Sequence, residues 1–356
     1  YYVIDFSGMD VVKPTKGLVC EKTITLLEFN DGNIKPIAIN MRDYVCDPKD
    51  KDLWLLGKFL TMVAASVHIN VCEHPKLHFP MDAINAITKT ALPKTHVLNK
   101  LLLPHLEMTL KLDYQVLNSP MSLLQNKWWM IFSPFGQTME SLRDLMVIGY
   151  CGIKGNPAYP KYEYPINGPK NVVGDFGVYH KAYYKDFYHF AKNIKTYIEP
   201  NDYMVTSWAN YIHQEVEGFP DGCQIWQDDN FEKAIGVLLW DLTVGHAVDH
   251  KTYSEIPIEF NPIRFRCASP KTKEKEFKFN IKKSSTVIDI TKWLIANRLF
   301  YKPWNVTNLT DIEYNFNDEK LDTIVKEHRA SLYKTQNEMK CTNFMSVDEM
   351  PSSIQY

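Results

Sequence analysis

A mainly α-helical fold with a small β element near its N-terminus is what this sequence predicts, on three observations. From Trp54 onward, apolar residues recur at helical spacing through several long segments. The β-rich runs YYVIDF and TITLLEF are confined to the first fifty residues. Four histidines fall in two pairs, His74 and His78 in EHPKLHF and His246 and His250 in TVGHAVDHKT, each pair spaced four apart inside a helical segment.

The elements follow in order. Residues 1–50 form a strand-rich opening segment, and NDG (30–32) between TLLEF and KPIAIN is a hairpin signal. LWLLGKFLTMVAASVHINVCEH reads as a helix up to Pro75, interrupted only by Gly57. Pro75 should kink the segment, because proline has no N–H for the helix ladder. A second helix is expected over 81–91, closed by Pro93, and another from His96 to Leu110, interrupted at Pro104. Residues 150–180 are rich in Gly, Pro and Tyr and predict a long loop of the kind that often covers a substrate. Helices are predicted over 181–198 and 202–217. In DDNFEKAIGVLLWDLTVGHAVDHKTYS, Asp229 and Glu232 have capping-box spacing. The stripe through Ile235, Leu238 and Leu239 buries this helix, and the second histidine pair sits on its C-terminal half. A last helix over 318–338 precedes a polar tail, 339–356. With no repeat and no apolar-poor linker, the chain reads as a single domain, 1–356.

At 356 residues and 45% hydrophobic content the chain can bury a large core. Forty basic residues against 42 acidic ones give a net charge of -2, which gives no electrostatic case for nucleic acid. The densest basic stretch, SPKTKEKEFKFNIKKSS (269–285), contains two Glu and reads as a solvated loop or hairpin. The seven cysteines include no CxxC, and their odd number argues against a closed disulfide framework; reduced thiols in the cytoplasm are the simplest expectation. Sequons occur at Asn305 and Asn308 with no signal peptide. No apolar run reaches about 18 residues, so no membrane-spanning segment is predicted. The chain opens at Tyr1 without Met, which leaves room for an upstream segment.

The histidine pairs carry the chemistry. Side chains four apart share one helix face, so each pair offers two imidazoles to one point. Four imidazoles on two helices are a ligand set that zinc, iron, copper or nickel accepts. The competing reading is four satisfied core histidines. Neither pair carries the glutamate of HExxH, which argues against a zinc hydrolase. His105 reads as structural, and His68, six residues before His74, faces elsewhere.

The order of these features resembles the catalytic domain of lipoxygenases. The residues that carry the likeness are DGNIKPIAIN (31–40), WLLGK (54–58), the first histidine pair, LPKTHVLNKLLLPHLEMTLKLD (92–113), WANYIHQEVEGFPDGC (208–223) and the second pair. The resemblance implies a lipoxygenase-like helical catalytic domain holding one non-haem iron. His78, His246 and His250 match ligand positions, and the terminal carboxylate of Tyr356 matches the C-terminal ligand. The first ligand is His74, with Glu73 as the alternative. The family separates its first two histidines by four residues across a π-type turn, whereas only Pro75, Lys76 and Leu77 intervene here. A one-residue deletion would convert the π turn to α spacing.

The implied activity is dioxygenation of a polyunsaturated fatty acid to a hydroperoxide. Its partners are then an unsaturated lipid and dioxygen, with peripheral membrane contact also compatible. Asn70 falls near a position where the family places an amide or carboxylate, while Asp241 and Asp249 read as capping or surface residues. Several family features are missing. Lys251-Thr252-Tyr253 stands where a Gly-Gln is usual, and YQVLNSPMS (114–122) replaces an Arg-containing element. The Gly-or-Ala position has no clear counterpart, the last residue is Tyr rather than Ile, and no N-terminal β-barrel domain precedes the catalytic part. These departures touch the substrate more than the metal. They keep two alternatives open: other oxidative chemistry at the same iron, such as hydroperoxide isomerisation or natural-product oxidation, and a catalytically silent binding protein.

Overall fold

The structure, a computed structural model, describes residues 1–30, 33–119, 122, 124, 134–151, 162–168, 170–255, 263–274, 276–300, 307–339 and 344–354. In chain order the described elements are strands β1 (Tyr2–Asp5), β2 (Thr23–Asn30), β3 (Asn33–Met41) and β4 (Tyr44–Cys46), then helices α1 (Asp52–His68), α2 (His74–Ala91), α3 (Val97–Leu102), α4 (Thr109–Leu117), α5 (Met139–Cys151), α6 (Lys170–Lys195), α7 (Tyr203–Glu215), α8 (Asn230–Trp240), α9 (His246–Glu255), α10 (Val287–Phe300) and α11 (Glu319–Glu338). The fold is mainly helical with one small antiparallel sheet near the N-terminus. The chain forms two compact units. One comprises Tyr1–Lys76, Tyr114–Ala158 and Ser254–Phe300, the other Leu77–Asp113, Tyr159–Tyr253 and Tyr301–Tyr356.

In the first unit the sheet runs β1-β2-β3-β4, every neighbour antiparallel. Asn30 pairs with Asn33, so the predicted hairpin forms around residues 31–32, which lie outside the described residues. Helix α1 lies against β2 and β3, with the Thr25 and Thr61 hydroxyls 3.1 Å apart. Its buried stripe runs through Leu53, Leu56, Leu60, Val63 and Val67, the three- and four-residue spacing of an amphipathic helix.

The expected break at Pro75 does not occur. Residues Asp52–Ala91 are helical throughout, with a π turn, Ile69–Glu73, joining α1 to α2. The His74 N–H reaches back five residues to the Ile69 carbonyl. The physical reason lies in that wider turn. Proline is excluded from an α-helix because it lacks one donor and its ring crowds the carbonyl four residues back. A π turn already disrupts the four-residue ladder at this point. By length and composition this 40-residue helix could cross a membrane, but 50% of its most apolar window is buried inside the protein, and we read it as a core helix.

In the second unit α6 packs along α8. Tyr179, Tyr183, Phe187, Phe190 and Ile194 form one buried stripe on α6, facing a core that includes Phe231, Ile235, Leu238 and Leu239 of α8. Burying each such side chain contributes roughly 2 kcal/mol. This stripe corrects the loop expected over 150–180. Helix α6 begins at Lys170, with a break at Gly174, and residues 152–161 lie outside the described residues. Tyr179, inside the range that composition marks as a loop, is a core residue on this stripe. The capping box expected at Asp229 and Glu232 is also corrected. The Asp229 carboxylate instead accepts from the Tyr188 hydroxyl at 3.0 Å and pairs with Lys233 at 2.7 Å, while Glu232 is buried against Lys195 at 3.0 Å. Asp318 does cap α11, accepting from the Lys320 and Leu321 N–H groups. Helices α5 and α10 were not anticipated by the sequence pattern.

Candidate metal centre

Each histidine pair begins at the residue that follows a π turn. The first turn, Ile69–Glu73, delivers His74 and His78 on α2; the second, Asp241–Gly245, delivers His246 and His250 on α9. In both, the first histidine's N–H bonds to the carbonyl five residues back, Ile69 in one and Asp241 in the other. Each turn also carries a polar side chain that donates to a carbonyl four residues earlier. Asn70 Nδ2 donates to the Ser66 carbonyl at 2.8 Å, and Thr243 Oγ1 donates to the Leu239 carbonyl at 2.7 Å. Widening a helix turn leaves carbonyls short of donors, and these side chains supply them. The expectation that deletion would erase the first π turn is therefore corrected: the turn persists, and only the spacing between the histidines is α-like.

The imidazoles converge. One ligand atom from each of His74, His78, His246 and His250 lies within 4.8 Å of all the others. The Nε2 atoms of His78 and His246 are 2.9 Å apart, and the His246 and His250 ring centroids 4.4 Å apart. His78, His246 and His250 are buried, while His74 is half-buried. The donor set fits a metal. Two nitrogens each about 2.0–2.1 Å from one cation, at right angles, would stand about 2.9 Å apart. An all-imidazole set suits iron, zinc, copper or nickel.

Glu73 is directed elsewhere. Its carboxylate accepts from His68 Nε2 at 3.1 Å and from Lys76 Nζ at 2.9 Å. Burial works to raise its pKa, but these partners prevail and hold it down at about 2. Asp241 is its opposite. It stands half-buried at the junction of α8 and the second π turn, and desolvation pushes its carboxyl up to about 8. His105 is structural as expected, with its Nδ1 2.7 Å from the Ser352 carbonyl and its Nε2 2.9 Å from the Tyr314 hydroxyl. Burial drives its pKa down to about 4. His68 faces Glu73 and Phe6, away from the cluster.

The C-terminal segment is anchored in the second unit. Pro351, Ser352, Ser353 and Ile354 are buried, and Lys251 on α9 pairs with Glu349 at 2.8 Å. Tyr356, the expected carboxylate ligand, lies outside the described residues. Sequence reading missed both π turns, Thr243, and the role of Gly149 on α5. A Cβ at Gly149 would sit 2.6 Å from the Cys72 Cα, so α5 crosses the first π turn at backbone contact. An Asn or Thr placed three or four residues before each histidine pair is the one signal that could have marked the turns.

A helical protein in which two helices each widen into a π turn just before a pair of convergent histidines is the class that fold and site define. No protein-family model matches the sequence. No curated protein matches it either. Solved structures do match, and they are lipoxygenases. A coral 8R-lipoxygenase superposes with a TM-score of 0.79 at 15% identity, covering 100% of this chain and 59% of its own. A calcium-dependent 11R-lipoxygenase gives 0.77 at 16%, covering 99% and 57%. The manganese lipoxygenase of Gaeumannomyces graminis gives 0.70 at 14%, covering 99% and 70%. A lipoxygenase variant crystallised with arachidonate also matches, with a TM-score of 0.77 at 15% identity, covering 100% of this chain and 59% of its own. This chain therefore has the lipoxygenase fold, and it spans 59% of the length of the first matched structures.

Proposed function

We propose that the protein is a non-haem iron dioxygenase of the lipoxygenase type, which forms a hydroperoxide from a polyunsaturated fatty acid or a similar unsaturated substrate. The observation that carries this reading is the convergence of His74, His78, His246 and His250 behind matched π turns, within the lipoxygenase fold. Arachidonate bound to one of the matched structures supports the substrate class. Iron held by these histidines would supply the one-electron chemistry that removes a bis-allylic hydrogen atom and lets dioxygen add to the resulting carbon radical.

The chain's own residues do the rest. His78, His246 and His250 are buried, so the helices that carry them keep bulk water off three of the four nitrogens. Asn70 and Thr243 hold the widened turns open and so fix the direction of each pair. Only neutral imidazole ligates a metal, so binding should release protons and weaken as the pH falls.

The test is elemental analysis of the purified protein, with electron paramagnetic resonance after mild peroxide oxidation and oxygen uptake on polyunsaturated fatty acids. Near-stoichiometric iron, a high-spin ferric signal and conjugated-diene hydroperoxide are expected. Failure to take up iron on reconstitution would remove the reading, and iron without oxygen uptake would remove the dioxygenase.

A further inference from the structure

Helix α10 is built inside out. Its charged residues Asp289 and Lys292 are buried together with Trp293 and Ala296, whereas Val287, Ile290 and Leu294, one stripe at three- and four-residue spacing, face solvent. Val287 is 79% exposed, Ile288 beside it 64% and Leu294 57%. The inward face is accounted for. Asp289 accepts from Arg264 Nε at 2.9 Å, Arg266 Nε at 2.6 Å and the Thr286 hydroxyl at 2.6 Å, which orients the helix. The outward aliphatic stripe has no comparable reason within the first unit.

Immediately before this helix lies the basic stretch singled out in the sequence. Lys271, Lys278, Lys282 and Lys283 are all exposed, and among the described residues none of them forms an ion pair. Lys273 is paired with Asp50 at 2.8 Å, and Glu274 and Glu276 are the acidic residues of the stretch. Ile281, 40% exposed between these lysines, also lines an apolar groove of about 550 Å³ with Ile4, Leu27, Leu55 and Met62. Exposed aliphatics and unpaired ammonium groups thus alternate along one short piece of chain.

We infer that the exposed aliphatics Ile281, Val287, Ile288 and Leu294, with the exposed Lys278, Lys282 and Lys283 near them in sequence, dock on an anionic lipid bilayer. Aliphatic side chains enter the headgroup and acyl boundary while lysines meet the anionic headgroups, the two contributions that together hold a protein at a membrane surface. Charge selects this occupant over a second copy of the chain. A two-fold contact brings the same patch of both copies together, and here it would set lysines against lysines.

Flotation with phosphatidylcholine vesicles, with and without phosphatidylserine, tests the inference and needs no metal. The protein should bind the anionic vesicles and not the neutral ones, and lose binding at high salt. K282E with K283E, and separately V287S with I288S, should each weaken that binding at least about tenfold with unchanged near-ultraviolet circular dichroism. Binding that ignores lipid charge, or that either variant leaves intact, overturns the inference. So does a dimer that V287S with I288S splits while vesicle binding stays unchanged.

Discussion

The first histidine pair stands on a helix that is partly wetted, with Glu73 exposed, His74, Lys76 and Leu77 half-buried, and prolines at 75 and 80. The second stands in the interior, where every residue from Leu242 to Val248 is buried. Both present imidazoles at α spacing behind a π turn, so the shared geometry does not come from shared surroundings. The first turn is braced from outside, by the Glu73–His68–Lys76 cluster and by α5 crossing at Gly149. The second is held by the core around it, including the close contact of α6 on α8 at Gly236, where a Cβ would lie 2.9 Å from the Tyr188 Cα. A rigid interior pair and a braced peripheral pair should fail differently when perturbed.

The largest difference is expected in metal binding. If the cluster holds the proposed iron, H246A removes a fully buried nitrogen donor and should leave under about a tenth of the wild-type metal content, because the remaining buried donors cannot rearrange. H74A removes the most exposed of the four imidazoles, whose place water can take, and on the same reading should keep measurable metal with roughly tenfold to hundredfold weaker affinity. Metal analysis after dialysis against graded chelator reads both, and equal losses would abolish the distinction.

Stability comes next. G149A forces a Cβ onto the Cys72 backbone and should cost about 2–4 kcal/mol, while G236A meets Tyr188 slightly farther off and should cost about 1–3 kcal/mol. Denaturant unfolding measures both, and a neutral G149A would mean that α5 does not brace the first turn. Smaller still, T243V and N70A each delete one side-chain bond to a helix carbonyl and should cost about 1 kcal/mol. The Thr243 loss should be the larger, since no water reaches the buried Leu239 carbonyl.

The finest test is pH, because the carboxyls at the two turns shift in opposite directions. Asp241 has a folded pKa near 8, above its unfolded value of about 3.9, so the folded state binds the extra proton between them. Its effect is therefore destabilising as pH rises through that window. In the metal-free protein D241N should raise the melting temperature at pH 8 and above and change nothing near pH 4. Glu73, held at about 2 against an unfolded value of about 4.3, behaves in reverse. What it contributes is present above pH 4 and lost only as pH falls through about 2, so E73Q should lower the melting temperature at pH 6 and match wild type near pH 2. If both variants show the same pH trend, the contrast between braced and interior turns is wrong.

Much of this site was legible before folding. Two pairs of histidines four apart on apolar-periodic segments specify two imidazoles on one helix face, because side-chain direction follows backbone period. The β2–β3 pairing was legible for a similar local reason, since NDG joins two β-rich runs and Asn30 pairs with Asn33. Other features were not. Pro75 reads locally as a break, and Asp229 with Glu232 reads locally as a cap. In the folded protein Pro75 follows a π turn that has already widened the helix ladder, while Asp229 and Glu232 are engaged by groups distant in sequence, Tyr188 and Lys195. The first turns of α6, before residue 181, were not legible because the Gly and Pro content around them masks the helical period. Helix α10 escaped because its apolar residues face outward, so its pattern carries no coherent inward stripe.

By itself, then, the sequence determined the helical character, the strand-rich start and the four imidazoles, all of which depend on residues within a turn or two of one another. Tertiary structure decided that the two pairs meet within 4.8 Å, that the turns before them widen and that the aliphatics of α10 stay outside. Convergence of groups 168 residues apart, His78 and His246, depends on how helices pack, and packing is a sum over many contacts that no local pattern encodes.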